Sequence, residues 1–284
     1  MSRRSLLASF GLLSALVTAL AVLKLLVRSR TVQLFASPIA VVPHVGRAVA
    51  LTFDDGPAME LVDEIIAILG SRGARATFFV TGRGLASALE AGQRLTAAGH
   101  ELGNHTFSHR HMLLKSRSFI QSEIESTDTL IRAAGQNDPI YFRPPYGRKL
   151  VGLPHYLWRT GRTTIMWSIE PDTYPDVAAD PEAIVAHVMA RLRPGAIILL
   201  HVWQQPQRAA SLAALPALID SLQASGYEVT TVRELLQRSR EPRPPMPMLQ
   251  GGRPAVHLTH TAGRLTPRAS RGDACQPTAE APPI

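Results

Sequence analysis

The nine residues VALTFDDGP, Val49 to Pro57, decide how this chain reads. Val49 to Phe53 predict a buried strand, Gly56 and Pro57 end it abruptly, and the carboxylates Asp54 and Asp55 sit at the break. Outward from this stretch the same pattern repeats. Strands are expected at Ala76–Val80, near Glu101, and at Tyr141–Arg143, Thr163–Trp167, Ala196–Leu200 and Tyr227–Thr230, which makes seven with the first. Between them lie segments of helical period: Glu60–Leu69, Leu85–Ala98, Phe119–Ala134, Pro181–Leu192 and Ala209–Ser225. Gly70, Gly99, Gly135 and Gly226 stand where helix C-caps belong. Short strands alternating with longer helices predict an α/β domain with a parallel sheet, and on periodicity alone an open doubly wound sheet fits as well as a barrel.

The 284 residues carry a net charge of +8, and its distribution matters more than its size. Residues 1–36 hold five Lys/Arg and no acid, and residues 241–284 hold five Arg against three acids, which leaves 20 basic and 19 acidic residues between them. The nearly neutral middle has no compositional reason to seek phosphate, so a nucleic-acid partner is not expected. The sole cysteine, Cys275, excludes a disulfide framework within the chain and a cysteine zinc knuckle. An apolar run from Leu6 to Val27, flanked by Arg3, Arg4, Arg28 and Arg30, is long enough to cross a bilayer core of roughly 30 Å. Residues 1–36 are therefore expected to be a membrane anchor and linker, with a cleaved signal segment as the alternative. Residues 37–240 make the folded domain, and the Pro- and Arg-rich residues 241–284 are expected to be disordered.

Four polar clusters fall at predicted strand ends, where α/β architectures collect functional groups. In TFDDGP, Thr52–Pro57, one of the two carboxylates can hold a metal while the other takes a proton, although a lone Asp-Asp-Gly-Pro is more often an ordinary turn. In NHTFSHRH, Asn104–His111, His105 and His109 lie four apart, a spacing that stacks two imidazoles on one helical face within reach of one ion. His100 and His111 read as structural or surface residues. In FRPPYG, Phe142–Gly147, two prolines stiffen a loop that places Arg143 to fork onto a carboxylate such as Asp54. Finally the apolar strand Ile197–Leu200 delivers His201 at its end, placed to give a proton to a leaving amine.

Order and placement of these clusters resemble the polysaccharide deacetylases, the NodB-like carbohydrate esterases of family four, over about residues 47–236. The resemblance implies a distorted barrel of roughly seven β/α units. It implies Asp54 as general base, Asp55, His105 and His109 as metal ligands, and Arg143 as the residue that orients Asp54. It further implies a loop N–H near Tyr146 for the oxyanion, Leu199 in the acetyl pocket, and His201 as general acid. Two imidazoles and a carboxylate suit Zn2+, and Co2+, Ni2+ or Mn2+ fit the same ligands. The substrate implied is an N-acetylated glycan of the cell envelope, met outside the cytoplasmic membrane if the N-terminal segment anchors the chain. A lipid-linked amino sugar is the alternative substrate, and a catalytically silent glycan-binding protein the alternative of another class.

The chain departs from the family at one motif. Where family members often carry an Asp-x-x-Asp-Trp element supporting the catalytic histidine, this sequence reads IEPDTYPD, Ile169–Asp176, with Thr173 and Tyr174 in the places of Asp and Trp. Asp172, shifted by one residue, is the first candidate to hold the His201 imidazole, with Glu170 and Asp176 behind it.

Overall fold

Seven of the eight residues of β1 (Ala48–Asp55) are buried, as expected of a central strand covered on both faces. The computed structural model describes residues 3–204, 206 and 208–240, with side chains from residue 13 onward. β1 pairs in parallel with β4 (Ile197–Leu200) along Ala50–Phe53. Its other edge is shared: β5 (Glu228–Thr230) takes Ala48–Ala50, and β2 (Thr77–Val80) takes Thr52–Asp55. β2 in turn pairs with β3 (Glu101–Asn104). Isolated parallel bridges then carry the ring onward from Asn104 to Phe142 and from Phe142 to Thr164, and Ile169 bridges back to Ile198 in β4. The result is a distorted α/β barrel, as the family resemblance implies and periodicity alone left open.

Two of the seven expected strands, Tyr141–Arg143 and Thr163–Trp167, form only isolated bridges, the second reaching Ile39 as well through Ile165. Pro139 and Pro144 bracket the first and remove ladder donors. In the second, the carbonyls of Ile165 and Met166 accept hydrogen bonds from the Arg143 side chain, at 3.3 and 3.2 Å, instead of serving a neighbouring strand.

Helices α2 (Met59–Gly70), α5 (Arg117–Ala133), α7 (Pro181–Arg191) and α8 (Ala209–Ala224) lie close to their expected bounds. The helix expected over Leu85–Ala98 is two, α3 (Gly82–Ser87) and α4 (Leu89–Ala97), broken at Ala88 with φ −144° and ψ 56°. Ser87 bonds back to the carbonyls of Arg83 and Gly84, a local competitor to the helical ladder. Short helices α6 (Gly152–Arg159) and α9 (Val232–Arg240) were not expected; Pro154 and a basic terminus disguise them. Gly99, Gly135 and Gly226 take positive φ as C-cap glycines do, whereas Gly70 stays helical and Gly73 takes the left-handed turn.

The pleat decides what lines the barrel. Val49, Leu51 and Phe53 point outward and pack under helices with Ile65, Leu69, Leu215 and Leu218. Ala48 and Ala50 point inward, beside Phe79, Ile165, Met166, Trp167, Ile197 and Leu199. Gly195, at φ +75°, turns the chain into β4, and a Cβ there would lie 1.7 Å from the Val42 carbonyl oxygen. Left-handed backbone and steric overlap together predict that Gly195→Ala costs about 2–4 kcal/mol. Differential scanning calorimetry should show Tm lower by roughly 5–15 °C; an unchanged Tm would refute the close approach.

N-terminal to the barrel, α1 (Arg3–Arg28) runs 26 residues, or about 39 Å. Among the described residues no helix is long and apolar enough to cross a membrane, so the expected spanning segment is not supported there. The side chains of residues 1–12, where the apolar run begins, lie outside the described residues, as does the tail expected to be disordered, 241–284.

Candidate active site

Alternation along β1 sends Asp54 into the barrel interior with Thr52, and both are buried. Arg143, fully buried, meets them there: its Nη1 donates to Asp54 Oδ1 at 2.6 Å and to Thr52 Oγ1 at 2.9 Å. The sequence suggested a forked Arg–carboxylate pair, but the contact is single, because Nε and Nη2 are committed to the Ile165 and Met166 carbonyls. The guanidinium also lies 3.9 Å from the centroid of the Phe79 ring. Burial pulls the Arg143 pKa down, and the Asp54 charge opposes it. Asp54 therefore keeps Oδ2 for other chemistry, 3.6 Å from His105 Nε2.

Asp55, the last residue of β1, still pairs in register with Val80 of β2. Its φ of 82° turns the carboxylate out of the pleat, toward the two histidines. Gly56 permits this turn, since a Cβ there would lie 2.3 Å from the Trp203 ring. Burial pushes the Asp55 carboxyl up, but His105, His109, His201 and the Gln204 amide outweigh it and hold its pKa below the usual value.

The histidine pair is delivered by a loop, which corrects the helical spacing expected from the sequence. β3 ends at Asn104, and residues 105–111 are non-helical. Asn104 Oδ1 accepts from the Thr106 N–H at 2.8 Å, Thr106 and His109 take φ of 67° and 55°, and Ser108 is held by Glu123 through two bonds of 2.6 and 2.8 Å. The outcome brings the imidazoles together, their centroids 4.9 Å apart. Of the seven non-glycine residues with positive φ among those described, Asp55, Thr106, His109 and Tyr146 gather here, a concentration of backbone strain in one place.

One ligand atom from each of Asp55, His105 and His109 lies within 4.8 Å of the others. The donor set fits a divalent cation in three further respects. Asp55 Oδ1 is buried without a hydrogen-bond partner among the described residues. His105 Nδ1 lies 2.8 Å from the Arg143 carbonyl, which can only accept, so the proton sits there and Nε2 keeps its lone pair for the site. Burial, then the neighbouring His105, pull the His109 pKa down to about 4, leaving that imidazole neutral near pH 7.

Across the site, Leu199 of β4 points inward, so His201 follows at the strand end. Asp172 holds it twice: one oxygen accepts the His201 backbone N–H at 2.6 Å, and the carboxylate stands 3.2 Å from Nδ1. Ser211 donates to the same carboxylate at 3.0 Å, and Arg208 donates to the Asp172 backbone carbonyl. Burial pulls the His201 pKa down, but Asp172, with Asp54 and Asp55 behind it, more than compensates and raises it above the ordinary imidazole value. The two reserve carboxylates are not its partners: Glu170 pairs with Arg30 and Trp167, and Asp176 is exposed.

Asp54, Asp55, His105, His109 and His201 line one cleft of about 710 Å³, together with Tyr146, Leu199, Trp167, Glu170, Thr173, Arg28, Arg30 and Arg148, while Arg143 and Asp172 stand behind them. Tyr146 is half-exposed, its ring 4.7 Å from His109 and 4.1 Å from His111. His100, read as structural, is buried against Phe78. Sequence reasoning missed Trp167, Arg30 and Ser211. An aromatic at the end of an expected strand was a signal for Trp167; Arg30 and Ser211 carry none, since each meets its partner only through the closed fold.

The model of the family described as polysaccharide deacetylase matches residues 42–164. A chitooligosaccharide deacetylase of Bradyrhizobium sp. is 32% identical over 200 residues, covering 66% of this chain and 90% of the relative. Among solved structures, the Bc1960 peptidoglycan N-acetylglucosamine deacetylase superposes with a TM-score of 0.65 at 27% identity, over 72% of this chain and 94% of the other. A family-four pseudoenzyme from Bacillus anthracis, BA3943, superposes with a TM-score of 0.63 at 28% identity, over 70% of this chain and 68% of the other. The motifs that meet in the cleft and the length of chain these relatives share place this protein in the polysaccharide deacetylase family.

Proposed function

We propose that this protein hydrolyses the acetamido group of an N-acetylated sugar in a cell-envelope glycan, releasing acetate and leaving a free amine. The observation that carries the reading is one cleft holding a three-ligand cation site, Asp54 braced by Arg143, and His201 braced by Asp172. A divalent cation on Asp55, His105 and His109, Zn2+ by donor type, supplies Lewis acidity toward the acetyl carbonyl and water. Asp54 Oδ2 takes the proton of the attacking water while Arg143 fixes Oδ1. The C–N bond then breaks, and protonated His201 gives its proton to the departing sugar nitrogen. Leu199 walls the acetyl methyl, and the backbone at Tyr146 faces the developing oxyanion. Against a silent role like that of the pseudoenzyme stands the set itself: both carboxylates, both ligand histidines, Arg143 and His201 are all present.

Membrane attachment through α1 belongs to this proposal. It is supported by the apolar run from Leu6 to Val27 and by the exposure of Leu13, Leu16, Val17, Leu20 and Leu23. With a cell-envelope glycan as substrate, the location that fits this reading is the outer face of the cytoplasmic membrane.

The deciding assay is acetate release from N-acetylglucosamine oligomers and from peptidoglycan, with chelator and with added Zn2+. Release that chelator stops and Zn2+ restores supports the proposal; a protein holding one equivalent of metal that releases no acetate from either would sink it. The acid's role has its own test. His201 must be protonated, so its raised pKa keeps activity up to higher pH, and activity falls as pH rises through that value. Asp172→Asn is expected to move this alkaline limb of kcat to lower pH and to cost about tenfold in kcat at the optimum. An unmoved limb would separate Asp172 from the acid.

A further inference from the structure

Two guanidinium groups in the catalytic cleft have no carboxylate partner among the described residues: Arg28, in the last turn of α1, and Arg148, just past the Arg143–Gly147 loop. A basic residue in the last turn of a helix suits its dipole wherever the helix points. What brings Arg28 to this cleft is that residues 27–30 are fastened to its wall. The Lys149 N–H donates to the Val27 carbonyl at 3.1 Å, and the buried Lys149 ammonium donates to the Ser29 carbonyl. Arg30 pairs with Glu170 at 2.5 Å and stacks 4.7 Å from the Trp167 centroid, while Trp167 Nε1 donates to the same Glu170 oxygen at 2.7 Å. Trp167 also lies 5.5 Å from the Arg143 guanidinium, so this wall is continuous with the catalytic brace. Arg30 is spent on position, whereas Arg28 and Arg148 line the cleft without a carboxylate among the described residues, Arg148 lying only 5.9 Å from the centroid of the Tyr146 ring.

We propose that Arg28 and Arg148 form a phosphate subsite, so that the acetamido sugar taken by this cleft carries a phosphate ester. The inference rests on the deacetylase reading for the sugar and on the two arginines for the phosphate. Guanidinium groups match phosphate oxygens in charge and in forked geometry, and a neutral glycan would leave both unneutralised. The phosphate belongs to a lipid carrier or to a water-soluble glycan. Delivery of Arg28 by the end of an apolar helix places the subsite where a lipid phosphate would lie.

The test is binding to the full chain in detergent micelles, followed by tryptophan fluorescence. The probes are a neutral N-acetylglucosamine tetramer, N-acetylglucosamine 1-phosphate, and citronellyl diphospho-N-acetylglucosamine. Arg28→Ala and Arg148→Ala are each expected to weaken both phosphate probes about tenfold relative to the tetramer. Arg28→Lys and Arg148→Lys, which keep the charge, should lose less, which separates a charge effect from misfolding. Tighter binding of the citronellyl probe than of the soluble phosphate assigns the phosphate to a lipid, and equal binding assigns it to a soluble glycan. Equal weakening of the tetramer and the phosphate probes, or no weakening of the latter, overturns the subsite. Since binding is read without turnover, arginine-dependent phosphate binding in a protein that releases no acetate would remove the deacetylase reading and leave the subsite standing.

Discussion

Asp54→Asn is expected to lower acetate release about 10³-fold, the scale of a general base, while one equivalent of divalent metal stays bound. The substitution is nearly isosteric, and the Asn carbonyl oxygen can go on accepting from Arg143 Nη1, 2.6 Å away in the native pair. What it removes is the capacity to take a proton at the second oxygen. Asp54→Ala would be the wrong variant, because it strands a fully buried guanidinium without its anion. Breaking such a pair costs about 3–5 kcal/mol, so lost activity would then report lost structure. Turnover by acetate release and metal by atomic absorption, on the same sample of Asp54→Asn, make the distinction. More than a tenth of native activity would remove Asp54 from the role of base.

A larger effect is expected from removing the electrophile's ligands. The double variant His105→Ala, His109→Ala should bind no stoichiometric metal after dialysis and should lose activity on the order of 10⁴-fold or more. Asp55 alone would remain of the set, and one carboxylate does not hold a borderline-soft cation against water. The structural cost should be small by comparison. His105 gives up one hydrogen bond to the Arg143 carbonyl, worth about 1 kcal/mol, and the loop keeps its ties to Asn104 and Glu123. Retention of one equivalent of metal by a folded double variant would show that the cation sits elsewhere.

The placement of these residues was legible to different depths. Asp54 follows from the pleat: once Val49, Leu51 and Phe53 are the outward face of a buried strand, Thr52 and Asp54 face inward. His201 follows from the same alternation in β4. The histidine pair was legible in residue type and spacing but not in conformation. Its i, i+4 separation suggests a helix, whereas Asn104 and Thr106 fold the segment into a turn by side-chain bonds that no periodicity reveals. The two segments read as strands beside the site, Tyr141–Arg143 and Thr163–Trp167, have strand-like residues, yet Pro139 and Pro144 bracket the first and the Arg143 side chain takes two carbonyls of the second.

By itself the sequence determined whatever rests on short-range rules: the period of each strand and most helices, the breaks at Gly and Pro, the ligand-type residues at strand ends, and through their order the family. The tertiary structure alone decided how the departures are resolved. Asp172 takes the imidazole from 29 residues away, and Arg30 reaches Glu170 across 140. Such partners depend on barrel closure through single bridges and on where α1 ends, and a contact between distant residues leaves no local pattern from which it could be read.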